Sequence, residues 1–371
     1  MKGQVAYRWA AVAAGVGLLC AMPVIASALP ASVPALTAGQ LRGRILASAR
    51  LSYAGYAESD AAFGLPSLPG LRDVTSLLDG VTKMRVWQAA PDRWRVDVLS
   101  DTGERDTYQL GRRSYIWDSG AQLLTEIRGR QTLRLPRAAD LAPPTLAQRL
   151  LSETGRQARY SVAPALRVAG QAAAGLRVTP SDPASTIGHI DIWADPGSGL
   201  PLMVQIFARG SPSPALRSQF FQVSSWQPDK AVLTPQRGPG TGFTVTSAGN
   251  LSGALKNLAG MALPGQLAGR DQLPASQEYE PIGVYGGGLA TFVVLGLRGV
   301  DGQRLITDAL AAGGTALDLP GGGSGALISA PLLNAVIAQP PDPDTVVLLA
   351  GTVAMPVLEQ AAAALFTEVG L

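Results

Sequence analysis

The sequence predicts an α+β protein: a curved antiparallel β-sheet with helices on its concave side, followed by a small α+β domain. Two observations predict this class. Through most of residues 30–230, apolar and polar residues alternate with a period of two, and turn residues interrupt the alternation about every ten positions. After a stretch rich in glycine and proline, a second block of strand and helix patterns begins near residue 280.

Residues 1–28 have the pattern of a secretory signal peptide. A basic start and an apolar run over residues 9–26 precede Ala26-Ser27-Ala28, which fits a cleavage site. We therefore expect an exported protein of the cell envelope. The alternative is an uncleaved signal that remains as an N-terminal membrane anchor. Cys20, the only cysteine, lies in this segment, so the mature chain would contain no disulfide bond.

The charge of the mature chain argues against one class of partner. Loss of Lys2 and Arg8 with the signal reduces the 30 basic side chains to 28, against 27 acidic ones, a net charge of about +1. Nucleic-acid binding needs a clustered basic surface. The sequence has no such cluster, so we expect no nucleic-acid partner.

The large domain is predicted to begin with a helix. Thr37 and Gln40 have the spacing of a capping box, and Leu41 and Ile45 recur at helical spacing in TAGQLRGRILASARL. A strand over residues 53–62 follows. Further strands are predicted in KMRVWQAAPDRWRVDVLS and DTYQLGRRSYIWDSGAQLLTEIRG, where turn residues separate the alternating runs.

The second half of this domain repeats the arrangement of helix and strands. A helix is predicted over residues 144–152, with its leucines on one side, strands over 161–169, 173–179 and 218–226, and a hairpin over 189–207. Each helix has a single apolar stripe to bury. We therefore expect both helices to lie on the concave side of one sheet, in a domain that covers residues 30–230.

A linker and a small domain are predicted to complete the chain. Residues 231–277 are rich in glycine and proline and are predicted as a linker. The small domain covers residues 278–371. Its strands are predicted in VYGGGLATFVVLGL, ALDLP, ALISAPLLNAVIAQ and TVVLLAGT, and its helices in DGQRLITDALAAGG and MPVLEQAAAALFTEV.

The only histidine is the first candidate for catalysis. His189 and Asp191 stand in HIDIWADPGSGLPLMVQIF, which has the pattern of a β-hairpin around a turn at residues 195–199. A zinc site needs further His or Cys ligands, and a Ser-His-Asp triad needs a G-x-S-x-G elbow; the mature sequence offers neither. We expect a structural or surface histidine. A secreted hydrolase that uses His189 is the alternative.

Other catalytic patterns are weak. The glycine triplets at 286–288 and 321–323 lack the spacing and the Lys-Ser/Thr of a phosphate-binding loop, so we expect turns or loops there. The sequence thus predicts a protein that is not an enzyme, with no catalytic residue, no metal site and no cofactor.

The apolar residues of the meander are the remaining candidates for a site. A cleft between a curved sheet and its helices could hold acyl chains, whose burial is favourable by about 0.8 kcal/mol per CH₂ group. Alternation identifies which residues share a face within one strand, but not which face is concave. The candidate cavity residues are Val86, Trp94, Val96, Tyr115, Trp117, Ile192 and Val204.

Several of these segments resemble the LolA superfamily, which includes lipoprotein carriers, LppX-like lipoproteins and the N-terminal domain of RseB/MucB regulators. The resemblance is carried by TAGQLRGRILASA, RVWQAAPDRWRVDVL and SYIWDS, and most strongly by residues 195–202 in DIWADPGSGLPLMVQIFARG. VYGGGLATFVVL and TVVLLAGTVAMPVLEQAAAAL resemble the small domain of RseB/MucB proteins. The longer, glycine-rich linker and the middle of the small domain depart from that pattern.

The resemblance implies an unclosed β-barrel, or half-barrel, with helices in its mouth, able to hold lipid or lipoprotein acyl chains. For RseB/MucB-type proteins it also implies binding to the extracytoplasmic domain of a membrane anti-sigma factor, which is shielded from proteolysis until lipid arrives. It carries over no catalytic residue. We expect a lipid- or lipoprotein-binding regulator of sigma-factor signalling; the alternative is a carrier that moves lipids or lipoproteins across the envelope.

Overall fold

The computed structural model describes residues 31–63, 77–101, 103–129, 136–154, 158–247, 261–274, 282–298, 301–341 and 345–368. The predicted signal peptide lies outside these ranges. Within them, no helix combines the length and the apolar character that a membrane-spanning helix needs.

The large domain is built on one twelve-stranded sheet. Its strands are β1 (Tyr53–Ala62), β2 (Asp79–Ala90), β3 (Arg93–Ser100), β4 (Gly103–Leu110), β5 (Arg113–Asp118), β6 (Leu123–Arg128), β7 (Ala158–Val168), β8 (Gln171–Pro180), β9 (Ile187–Ala194), β10 (Pro201–Ala208), β11 (Pro214–Ser224) and β12 (Gly242–Ser247). In space they follow the order β12-β6-β5-β4-β3-β2-β1-β11-β10-β9-β8-β7. All neighbours are antiparallel except β12 and β6, which are parallel. The sheet is not closed, because β12 and β7 form separate edges.

Two local meanders meet within this sheet. Strands β2 to β6 follow one another on one side, and β7 to β11 do so on the other. Strand β1 joins the two, because it pairs with β2 on one edge and with β11 on the other. The pairing of Ala54 with Ser224 thus links distant parts of the chain.

Within the described residues, the helices of the large domain include α1 (Ala38–Ala47), α2 (Ala138–Leu141) and α3 (Pro143–Thr154). The predicted capping box begins α1: Thr37 Oγ1 accepts from the Gln40 amide at 3.2 Å, and Gln40 Oε1 accepts from the Thr37 amide at 3.0 Å. This helix and the predicted second helix are both confirmed. The single turn α2 was not predicted from the sequence.

The small domain has a six-stranded antiparallel sheet with one helix on each face. The strands are β15 (Ile282–Gly287), β16 (Ala290–Arg298), β17 (Thr315–Asp318), β18 (Ser324–Ser329), β19 (Asn334–Gln339) and β20 (Thr345–Gly351), and the helices are α4 (Gly302–Ala311) and α5 (Met355–Glu368). Helix α5 packs on Phe292 and Leu349, and α4 packs on Ile337 and Val346. The predicted α+β class is confirmed.

One strand prediction in the small domain is wrong. VYGGGLATFVVLGL is two strands, β15 and β16, and not one. Gly286 and Gly288 have φ angles of +97° and +60°, which a residue with a Cβ adopts only at a cost. The glycine run therefore supplies a tight turn.

The segment predicted as a linker contains paired backbone. It includes β12 and a short hairpin, β13 (Gln266–Leu267) with β14 (Arg270–Asp271). Met261 and Leu267 are buried in the core of the small domain. The predicted domain boundaries remain a prediction, but both ends of this segment are attached to a domain.

The β8–β9 loop makes the junction between the two domains. The amide of Ala354 donates to the Ala184 carbonyl at 2.7 Å, and the amide of Thr186 donates to the Thr352 carbonyl at 3.1 Å. Arg270 Nη1 lies 2.8 Å from Asp182 Oδ2. The small domain is therefore hydrogen-bonded directly to a loop between two strands of the large sheet.

Candidate functional site

Five of the seven predicted cavity residues lie on one face of the large sheet, which we call the helix face because α1, α2 and α3 cover it. Val86 pairs with Val96, and Ile192 pairs with Val204. These four side chains are at most 3% exposed and belong to one apolar cluster. Half-buried Trp94 packs against that cluster. The structure thus brings these five residues into the core of the large domain.

The other two predicted residues lie on the opposite face, which we call the outer face. Tyr115 pairs with Tyr108, and Trp117 pairs with Asp106. Asp106 in turn pairs with Asp97, the neighbour of Val96 in β3, and successive residues of a strand point to opposite faces. Tyr115 and Trp117 therefore do not share a cavity with the other five.

Two short helices, α1 and α3, pack on the helix face. Leu41 and Ile45 of α1 and Leu146 and Leu151 of α3 are all buried against the sheet. Polar contacts accompany this packing: Gln148 Nε2 donates to Ser48 Oγ at 3.4 Å, and the hydroxyl oxygens of Thr154 and Tyr160 lie 2.9 Å apart. Apolar stripes and polar contacts together hold the helices on the sheet.

The turn at residues 195–199 fixes the end of α1. Asp195 Oδ1 accepts from the amide of Ser198 at 2.6 Å, which stabilises the turn. Arg44 Nη1 donates to the Pro196 carbonyl. Gly199 has a φ of +76°, and a Cβ at this position would overlap the backbone of Arg44. The strongest part of the family-like motif is therefore the place where the hairpin touches α1.

His189 takes part in a polar arrangement on the outer face. Asp191 accepts from Arg177 Nε at 2.7 Å and from Arg177 Nη2 at 2.6 Å. The ring of His189 stacks on Phe207 with 4.2 Å between centroids, and its Nε2 lies 3.7 Å from Asp191 Oδ2. Burial lowers the pKa of His189 despite the nearby carboxylate. Since Arg177 engages both oxygens of Asp191, the arrangement fits the predicted structural role.

A second outer-face feature was not anticipated from the sequence. Arg95 lies between the rings of Trp87 and Tyr108, at 5.2 and 4.9 Å from their centroids. Its guanidinium contacts two buried carboxyl groups: Nε is 2.5 Å from Asp97 Oδ1, and Nη2 is 2.9 Å from Asp106 Oδ2. We call Arg95, Asp97, Glu104 and Asp106 the carboxyl cluster.

A stretch of backbone, the strap (residues 231–236), crosses the outer face beside this cluster. Arg95 Nη1 donates to the Val232 carbonyl at 3.2 Å, and Leu233 is 1% exposed. A cavity of about 330 Å³ lies between the strap and the sheet. Trp117, one of the predicted residues, lines it together with Tyr108 and Asp106.

Alternating charges were the signal for the carboxyl cluster. Arg95 and Asp97 alternate with apolar residues in β3, and in β4 Glu104 and Asp106 are likewise two positions apart, with Arg105 between them. The strap that buries them comes from more than 120 residues further along the chain, as the separation of 137 between Arg95 and Val232 illustrates.

Solved structures resemble this chain in fold. MucB of Pseudomonas aeruginosa in complex with MucA is 19% identical, with 88% of this chain and 96% of that chain covered and a TM-score of 0.48. MucB alone gives the same identity and a TM-score of 0.45, with 88% and 96% covered. A LolA superfamily protein of Nitrosomonas europaea is 10% identical, with 54% and 99% covered and a TM-score of 0.26.

Sequence comparison adds nothing to these matches, since no family model and no curated protein matches the chain. The likeness concerns the fold and not the function.

Proposed function

We propose that this is an exported lipid- or lipoprotein-binding protein whose helix face accepts acyl chains, and that it regulates an extracytoplasmic anti-sigma pathway of envelope stress. The observation that carries the proposal is the helix face itself. Its apolar side chains come from both meanders, and short helices with single apolar stripes cover them. An acyl chain that took the place of a helix on the sheet would make the same apolar contacts that the stripe of the helix makes.

The magnitudes allow such a replacement. Exposure of a buried Leu or Ile side chain costs about 1.5–3 kcal/mol, so release of the four helix residues named above costs about 6–12 kcal/mol. Burial of a chain of about sixteen CH₂ groups contributes about 13 kcal/mol before the cost of association. The gain from a long acyl chain is therefore of the same size as the cost of exposing these four side chains, whereas a short chain gains too little.

The junction favours a regulator over a carrier. The loop that contacts the small domain, residues 181–186, connects β8 and β9. Strand β8 contributes Leu176 to the helix face, and β9 contributes Ile192. A ligand on that face would lie one loop away from the small domain. The alternative, a LolA-like carrier, would bind the same chains without a change in its affinity for a protein partner.

Native mass spectrometry of residues 29–371, purified without detergent, tests acyl binding. We expect a co-purifying lipid that an organic extract identifies. Leu151→Ala should raise the bound fraction, because an apolar cavity under α3 favours an apolar ligand. Leu358→Ala, equally buried in the small domain, is the matched control and should leave the bound fraction unchanged. The proposal would be refuted if wild type and Leu151→Ala both purified without lipid and both failed to bind added palmitate.

The regulatory part needs a second measurement. The immobilised extracytoplasmic domain of a membrane anti-sigma factor from the same organism should retain the protein, and palmitate should lower that retention. Retention that is the same with and without palmitate would favour the carrier alternative.

A further inference from the structure

The carboxyl cluster contains more acids than bases. Asp97 and Asp106 stand directly opposite each other in the β3–β4 ladder. Ligand oxygens of these two residues and of Glu104 lie within 4.8 Å of one another. Arg95 is the cation between them. If all three acids were ionised, one guanidinium would face three negative charges.

Groups from the neighbouring elements do not restore the balance. On β2, Arg85 stands opposite Asp97 but is exposed to solvent. On β4, Tyr108 donates to Asp106 Oδ2 at 3.1 Å, and on β5 the facing residue is Trp117. The strap carries no ionisable side chain; Lys230 and Arg237 flank it.

Two oxygens in the cluster have no hydrogen-bond partner. They are Asp97 Oδ2 and Asp106 Oδ1, and both are closed to solvent. The Asp97 and Asp106 side chains are only 1% and 4% exposed. A buried carboxylate oxygen without a donor is costly, and repulsion between like charges whose oxygens lie within 4.8 Å of each other disfavours ionisation of both groups together.

A proton resolves both problems, and a metal ion resolves them less well. A protonated carboxyl is a donor as well as an acceptor, so one proton would remove one negative charge and let one of these oxygens donate within the cluster. A metal ion would have to reach oxygens that solvent does not reach, next to a guanidinium that already contacts both carboxyl groups. Burial raises the pKa of Asp97 to about 8, even against the hydrogen bond from Arg95, and burial also raises the pKa of Asp106.

We propose that Asp97 and Asp106 share one proton in the folded protein, and that loss of this proton releases the strap. The second negative charge must then be hydrated. The strap lies over the cavity that Asp106 lines, so water reaches the cluster when the strap lifts and the bond from Arg95 to the Val232 carbonyl breaks. The strap leads into β12, so its release loosens the parallel edge of the large sheet. This response does not depend on lipid binding.

Limited proteolysis of the intact protein tests the strap. Trypsin cleavage after Lys230 and Arg237 should become about tenfold faster between pH 7 and pH 9, because the ionised fraction of a group that titrates near 8 rises about tenfold. Asp97→Asn keeps the shape and cannot lose the proton. The strap of this variant should therefore resist trypsin at both pH 7 and pH 9. Any change in its cleavage rate measures the pH dependence of trypsin itself. Asp92→Asn, in the exposed β2–β3 turn, is the control and should behave as wild type.

Three outcomes would overturn the proposal. In the first, wild type and Asp97→Asn respond identically to pH. In the second, 5 mM CaCl₂ protects the strap at pH 9 as well as Asp97→Asn does, which would assign the cluster to a metal ion. The third is independent of any variant: carbon-13 titration of the wild-type aspartate carboxyl groups should find one that titrates between pH 7 and 9. Titration of every aspartate below pH 6 would contradict the shared proton.

Discussion

Replacement of Gly199 by alanine separates two roles of the turn that touches α1. Gly199 has a φ of +76°, and an added Cβ would also overlap the backbone of Arg44. Gly210 has a φ of +78° in the β10–β11 turn, and nothing lies within 4 Å of its added Cβ. Gly210→Ala therefore introduces the conformational cost alone, whereas Gly199→Ala introduces that cost and a steric conflict with α1.

The two costs can be estimated separately. A left-handed conformation costs a residue with a Cβ about 1–2 kcal/mol, and reduced freedom of the unfolded chain offsets about 0.4–1 kcal/mol of that. Gly210→Ala should thus lower the free energy of unfolding by about 1 kcal/mol. Overpacking adds about 1–3 kcal/mol, so Gly199→Ala should lower it by about 2–4 kcal/mol.

Urea denaturation measures both values, and hydrogen exchange locates the effect. Amides of α1 should exchange faster in Gly199→Ala and at the wild-type rate in Gly210→Ala, because only the first substitution displaces Arg44. Equal losses of stability in the two variants, within about 0.5 kcal/mol, would refute the idea that this turn positions α1.

Three further predictions concern the core, the histidine and the junction. Ile192→Ala should lower the free energy of unfolding by about 2–5 kcal/mol in urea, because Ile192 is 0% exposed, whereas Val162→Ala, at a position 59% exposed, should change it by less than about 0.5 kcal/mol. Burial lowers the pKa of His189, so the neutral form is favoured by folding; its contribution to stability is present above the unfolded value of about 6.5 and is lost as the pH falls below it. His189→Gln should therefore lose less stability than wild type between pH 7 and 5.5, and equal slopes would contradict this. A double-mutant cycle of Arg270→Ala and Asp182→Ala should give a coupling of about 0.5–1 kcal/mol, since the pair is partly exposed; a coupling near zero would mean that backbone hydrogen bonds alone hold the junction.

Local patterns predicted the elements of the fold well. The strand predicted over residues 53–62 has the bounds Tyr53–Ala62, and Thr37 begins α1 as its capping box indicated. Both succeed because periodicity and capping are properties of neighbouring residues. The second helix is longer than predicted by a few residues, as α3 runs over Pro143–Thr154.

The division of the predicted site between two faces could have been found by counting across turns. Ser100 pairs with Gly103, and Leu110 pairs with Arg113, so two residues of the sequence separate the strands in each case. This register places Val96 opposite Thr107, which in turn stands opposite Ile116. Tyr115 and Trp117 must then point the other way. Residue type alone groups Tyr115 and Trp117 with Val96, whereas the register between strands separates them.

The strap was beyond the reach of local patterns. Nothing within residues 231–236 indicates that they cross the outer face, because their partners are in strands β3 to β6, far earlier in the chain. Burial raises the pKa of Asp97. A sequence can thus suggest the charged residues of such a cluster but not their burial.

The pairing of β1 with β11 has a consequence for how the chain acquires its structure. Each meander can form from hairpins between neighbouring segments, but the bond from Ser224 Oγ to the Ala54 carbonyl closes a loop of 170 residues. Proteins rich in such distant contacts fold slowly, so union of the two halves should limit the folding rate. Until β11 has been synthesised, β1 presents an open edge with unpaired amides and carbonyls, to which a second unfinished chain can add. Chains that end before Pro214 should therefore aggregate, even though their first meander is intact.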